Sequence, residues 1–195
     1  MNANEMDWLT LAQKGDDDAF ASLVNQYQTP VYNLCYRMLG NPQEAEDAAQ
    51  ESFWRAYQAI RRYDRGRPFA TWLLSIAAHY CIDQQRKRRL PTMEIEDWME
   101  EVVPDNFPSP ESIAGQNQQN ELLRQYLNKL NPQDRAALIL RYWYEFSEEE
   151  IGQTLKLSSS AVKSRLHRAR LKLATLLQAE QNASDERIQD ESPAF

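Results

Sequence analysis

The sequence predicts an all-α protein: two small helical domains joined by an acidic, flexible linker. Three observations carry that expectation. Only 5 of the 195 residues are glycine, and no run alternates Val, Ile or Thr with polar residues, which argues against a β-rich fold. Apolar residues instead recur at helical spacing from 17 to 89 and again beyond 122. Between them, residues 90–121 hold eight acids, four prolines and no Lys or Arg, with little periodicity, which is a linker composition. A hydrophobic content of 42% is enough to form a core.

The opening stretch, MNANEMDWLTLAQKGDDDAF, has neither a basic leading region nor a long apolar one, so it does not read as a signal peptide. No stretch reaches the roughly 18 apolar residues of a membrane span. The expectation is a cytoplasmic protein with no membrane insertion. The first helical pattern starts at 17. Phe20, Leu23, Val24 and Tyr27 make one stripe, and Val31, Leu34, Cys35, Met38 and Leu39 make the next. Pro30, between them, is expected to kink or divide that helix. GNPQE then gives a start signal: Gly40 ends a helix, Asn41 caps, Pro42 takes the first position and Glu44 sits at the capping-box position. That helix is predicted to reach about 61. YDRGRP breaks the pattern, and a further helix is predicted from 69 to about 88.

Helical patterning resumes at 122 and passes 177. NPQD at 131–134 repeats the cap-plus-proline start, SEEE at 147–150 is a capping box from Ser147 to Glu150, and Ser158 caps the last helix. From 179 onward the chain is polar and reads as a disordered tail. No internal repeat is present.

Chemistry narrows the function. Cys35 and Cys81 fall inside apolar helical patterns, and with only 2 histidines there is no zinc-ligand spacing, so no metal and no cofactor are expected. Phosphate-loop, nucleophile-elbow and zinc-protease motifs are absent, which argues against an enzyme.

Charge says more. The chain carries a net −7, yet residues 156–172 hold six bases and no acid. On a helix turning about 100° per residue, Val162, Leu166, Ala169 and Leu173 form an apolar stripe. Ser160, Lys163, Ser164 and His167 fall on another face, flanked by Arg168 and Arg170. The preceding helix offers Ile151 and Leu155 for packing, and LKLSS is a tight turn. The pair reads as a helix-turn-helix: short serines let the backbone approach the major groove, and bases reach phosphates or guanine edges.

A second basic region spans 53–89, with nine Lys and Arg against Asp64 and Asp83 only. Its interleaved aromatics, among them Trp54, Tyr57, Tyr63, Phe69, Trp72 and Tyr80, suit unpaired nucleic acid, whose bases can stack. Trp72, Ser75, His79, Asp83 and Arg86 share one face, while Leu73, Ile76, Ala77 and Tyr80 share a core face; Trp72 fits either role. On the helix before it, Asp47, Gln50, Glu51 and Trp54 line a face away from Ala45, Ala49, Phe53, Ala56 and Ile60. Acid there suits a basic protein surface rather than DNA.

Together these stretches resemble an extracytoplasmic-function RNA polymerase sigma factor of bacteria. AEDAAQESFWRAY resembles the family's region 2.2, YDRGRPFATWLLSIAAHYCIDQQRKRR resembles regions 2.3–2.4, and LNPQDRAALILRYWYEFSEEEIGQTLKLSSSAVKSRLHRARLKL resembles region 4. The resemblance implies a region 2-like domain at 1–89, the linker at 90–120, a region 4-like domain at 121–178 and the tail at 179–195. It implies that Asp47, Gln50, Glu51 and Trp54 dock on the β′ clamp helices of core RNA polymerase, with the β flap as a further contact. Tyr63, Asp64, Arg65, Arg67 and Phe69 would form a loop around a flipped −10 base, helped by Trp72, Ser75, His79 and Arg86. Ser160, Lys163, Ser164, His167, Arg168 and Arg170 would meet the −35 duplex. Promoter DNA and an anti-sigma factor are the other implied partners. Two positions depart from the family pattern: His79 stands where Asn is common, and Gly152 where Ala is usual.

Two other readings share parts of this pattern. A helix-turn-helix repressor would need no single-strand surface at 53–89. A decoy that sequesters an anti-sigma factor would need neither basic patch.

Overall fold

A computed structural model of the chain describes residues 3–89 and 117–190. Eight α-helices are described: α1 (Ala3–Gln13), α2 (Asp17–Leu39), α3 (Pro42–Ala59), α4 (Phe69–Arg89), α5 (Asn117–Asn128), α6 (Pro132–Trp143), α7 (Glu148–Leu155) and α8 (Ser159–Asp190), with a 3-10 turn at Ile60–Arg62. No strand occurs among the described residues. None of their helices is long and apolar enough to cross a membrane.

The local signals place most boundaries. Asp16 accepts the Ala19 amide at 2.8 Å to start α2, and Gly40, at φ 76°, ends it in the left-handed conformation that glycine adopts without penalty. Asn41 accepts the Glu44 amide at 3.1 Å ahead of Pro42. Glu44 does not close a capping box; its carboxylate pairs with Arg88 of α4. At α7 the box is complete: Glu150 receives the Ser147 amide at 2.8 Å, and Ser147 receives that of Glu150 at 3.2 Å.

Three expectations change, and one helix was unforeseen. Pro30 does not divide α2, which runs through it. Val31 and Leu34 beside it are fully buried, so packing holds the helix across the missing N–H. The α1 helix was not legible: its buried stripe is Glu5, Leu9 and Ala12, with an acid in the first position. The helix expected from 122 starts at Asn117. The stretch read as a disordered tail from 179 is helical to Asp190, its Ala, Glu, Gln and Arg being sound helix formers. Residues 90–116 and 191–195, and the linker reading with them, lie outside the described residues.

The two helical halves pack against each other: α5, α6 and α8 keep a small cluster of their own around Leu130, Leu138 and Leu173, and a second cluster runs across both halves. Cys35, Met38, Leu74 and Ala78 belong to the same buried cluster as Ala137, Ile139, Leu140 and Ile151. Polar contacts cross the same seam. The Tyr144 hydroxyl donates to the Pro30 carbonyl, Arg135 donates to the Met38 carbonyl, and Arg124 donates to the Gly40 carbonyl. The Arg37 guanidinium lies 5.2 Å from the Trp143 ring centroid. Burial pushes the Tyr144 phenol up and the Arg37 guanidinium down from their ordinary pKa values, so both groups are shielded at this seam.

Candidate nucleic-acid and polymerase interfaces

On α3, Ala45, Ala48, Ser52 and Ala56 face the core, and small side chains there bring α3 close to α2 and α4. Asp47, Gln50, Glu51 and Trp54 therefore share the outward face. Trp54 is 56% exposed and stacks on Tyr57 at 5.9 Å between centroids. Tyr57 donates to Asp17 at 2.7 Å, and Glu51 pairs with Arg55 at 2.7 Å. The result is a flat aromatic pair beside carboxylates. Its chemistry is complementary to a basic surface with an apolar centre.

The segment after α3 divides the expected −10 residues into two groups. Tyr63 and Phe69 are 5% and 1% exposed, so neither ring offers a face to a base. They form an aromatic cluster instead: Phe69 lies 5.3 Å from Tyr27, 5.5 Å from Tyr63 and 5.6 Å from Trp72. A correction follows for both: they are core residues that hold the loop from beneath. Asp64, Arg65 and Arg67 are exposed above them. Asp64 accepts the Gly66 amide at 2.9 Å and the Tyr63 hydroxyl donates to the Arg67 carbonyl, so the loop is closed on itself. On α4, Trp72, Ser75 and His79 are half-buried and Arg86 is exposed. The Ser75 hydroxyl donates to the Trp72 carbonyl at 2.6 Å, and His79 Nδ1 meets the Ser75 carbonyl at 2.7 Å.

In the last helix pair, Val162, Leu166, Ala169 and Leu173 are buried, as are Ile151 and Leu155 of α7. Ser160, Lys163 and Ser164 are exposed; His167 and Arg170 are half-buried. Ser158 accepts the Ala161 amide at 3.3 Å, and the Ser164 hydroxyl donates to the Ser160 carbonyl at 3.1 Å. Lys163 lies 3.7 Å from Glu148 on the surface, a weak pair that a phosphate can replace.

Arg168, expected to meet the −35 duplex, is exposed and has a second partner within the protein. It is tied to Asp134 at 3.4 Å, and Arg165 reaches the same carboxylate at 2.8 Å. Asp134 is only 7% exposed, so α6 and α8 meet through a buried acid between two bases. Sequence reasoning missed both Asp134 and Arg165. Its only signal was an acid in the first turn of a helix, where it reads as complementing the helix dipole.

The turn between α7 and α8 explains one departure from the family pattern. Lys156 adopts a left-handed φ of 56°, and the Leu157 amide donates to the Gly152 carbonyl at 2.9 Å. A Cβ on Gly152 would stand 2.9 Å from the Leu157 carbonyl oxygen. Gly152→Ala gains about 1 kcal/mol of helix propensity but drives the new methyl against a backbone carbonyl. A net loss of roughly 1–2 kcal/mol is expected in a urea melt. Unchanged stability would mean that the turn relaxes.

Residues 23–90 match the family described as Sigma-70 region 2, and residues 120–173 match Sigma-70, region 4. The chain is 39% identical over 166 residues to the ECF RNA polymerase sigma factor SigW of Bacillus subtilis, covering 81% of this chain and 88% of that protein. It is 38% identical over 168 residues to the ECF sigma factor SigE of Mycolicibacterium smegmatis, covering 84% of this chain and 64% of that one. Among solved structures, CnrH in complex with the cytosolic domain of CnrY is similar at a TM-score of 0.67 and 25% identity, covering 91% of this chain and 99% of that one. The sigma factor RpoE of Bartonella quintana, solved with the anti-sigma factor NepR, shares the fold at a TM-score of 0.59 and 21% identity, covering 82% and 96%. With both matches in chain order and relatives of this identity and coverage, the chain belongs to the ECF family of RNA polymerase sigma factors.

Proposed function

We propose that this transcription initiation factor divides its work among three surfaces. The α3 face of Asp47, Gln50, Glu51 and Trp54 docks on core RNA polymerase. Asp64, Arg65 and Arg67, with the Trp72–Arg86 edge of α4, hold the opened −10 element. Ser160, Lys163, Ser164 and His167 of α8, flanked by Arg168 and Arg170, meet the −35 duplex. Residues 1–89 and 121–178 act as the region 2-like and region 4-like units across the 90–120 linker. The protein works in the cytoplasm and has an anti-sigma factor as a further partner. The observation that supports the reading is the separation of charge: exposed Lys163 and Arg168 on α8, exposed Asp47 beside Trp54 on α3.

Reconstituted holoenzyme tests it. Glu51→Lys is expected to weaken core binding about tenfold while leaving folding within about 0.5 kcal/mol of wild type. Lys163→Ala and Ser164→Ala are expected to change which −35 sequences are selected from a randomised library, by roughly 1–3 kcal/mol per good base contact. Normal core affinity for folded Glu51→Lys removes α3 from the docking surface. Identical base preferences for wild type and both α8 variants remove that face from sequence reading.

A further inference from the structure

The loop at 63–67 is held from a second side. Gln13, the last residue of α1, donates from its amide nitrogen to the Ile60 carbonyl at 3.1 Å and the Tyr63 carbonyl at 2.8 Å. Its amide oxygen accepts from Arg65 Nε at 2.8 Å. Two carbonyls on one end and a guanidinium on the other fix the orientation of the amide, since the reverse would set like against like. One side chain thus spans the end of the 3-10 turn and the first residues of the loop, and it binds the one arginine whose Nε faces it. Arg65, exposed, makes this bond through Nε and not through its terminal nitrogens. The helix carrying Gln13 is itself anchored at its other end, where buried Glu5 accepts the Tyr27 hydroxyl at 3.0 Å. Tyr27 in turn packs against Phe69 at the start of α4. Residues 3–13 lie outside the stretch matching Sigma-70 region 2, which begins at 23.

We infer that Gln13 is a positioning residue for −10 recognition: it sets Arg65 and the 63–67 loop in the geometry that captures the opened strand. The inference rests on the proposed −10 role of that loop. Arginine carries a large rotamer entropy, and a hydrogen bond at Nε removes much of it before DNA arrives, so less is lost on binding. α1 then contributes to promoter opening without touching DNA.

The test uses holoenzyme with 2-aminopurine in the −10 element, whose fluorescence reports base extrusion, and a randomised −10 library. Gln13→Met keeps the length of the side chain and removes all three hydrogen bonds. It is expected to lower opening about tenfold, as two or three modest hydrogen bonds allow. It should also flatten the Arg65-dependent base preference, with core affinity and −35 duplex affinity unchanged. Gln13→Asn, too short to span the three partners, should do the same and serves if the Met variant folds poorly. In an Arg65→Ala background, Gln13→Met should have little further effect, because the two act as one unit. Additive losses with an unaltered base preference would show a merely structural role and overturn the inference. If Arg65→Ala and Arg67→Ala change −10 selection and Gln13→Met does not, the inference alone fails. If none of the three changes it, the −10 reading of the loop fails with it.

Discussion

Asp134→Ala is expected to cost roughly 2–4 kcal/mol and to weaken −35 binding more than any single change on the exposed face of α8. Removing one member of a buried ionic cluster leaves the others uncompensated, a penalty of about 3–5 kcal/mol when all members are dry. Here the figure is discounted, because Arg168 is 44% exposed at the side chain and water can take up part of its charge, whereas Arg165 is 20% exposed. The loss should concentrate on α8, whose seat against α6 is fixed by both arginines. Urea melts and −35 duplex titrations measure the two effects. Asp134→Asn, which keeps an acceptor without the charge, should fall between wild type and Ala. An alanine variant with unchanged stability and unchanged −35 affinity would show that α8 is seated by its apolar stripe alone.

Phe69→Ala is expected to cost about 3–5 kcal/mol, the usual penalty for emptying a buried aromatic site. The ring touches Tyr27, Tyr63 and Trp72, so its removal opens the floor of the −10 loop as well as the first turn of α4. Phe69→Leu refills most of the volume and should recover most of the stability, together with promoter opening. That pairing separates a packing role from a stacking role. A Phe69→Leu protein that is stable yet fails to open the −10 element would return the ring to the DNA surface.

What the sequence made legible follows from how local each signal is. Asn41–Pro42, Asn131–Pro132 and the Ser147–Glu150 box act within four residues, and each begins the helix expected of it. The α8 stripe was equally plain, because one helix's period sorts its own faces. Tyr63 and Phe69 were legible as aromatics near basic residues but not as buried ones, since Tyr63 sits in a loop without a period and Phe69, at the first turn of α4, packs on Tyr27 more than 30 residues away. Asp134 and Gln13 were invisible for the same reason: their partners lie 31 and about 50 positions off. Pro30 erred in the other direction, because a local rule was overridden by the core on either side of it.

The polar seam between the two halves sets how the molecule comes apart. Arg135 is 3% exposed, and it spends its charge on the Met38 carbonyl of one half and on Asn128 of the other. Separating the halves bares a guanidinium, several carbonyl oxygens and apolar helix faces together. The two halves therefore stabilise each other, and their unfolding free energies are not independent quantities that sum. A substitution at the seam is felt in the stability of both. Cutting the gene at the linker would yield pieces less stable than the same residues in the intact chain, and evolutionary exchange of one half for a homologue's has to preserve the other's carbonyl positions as well as its own core.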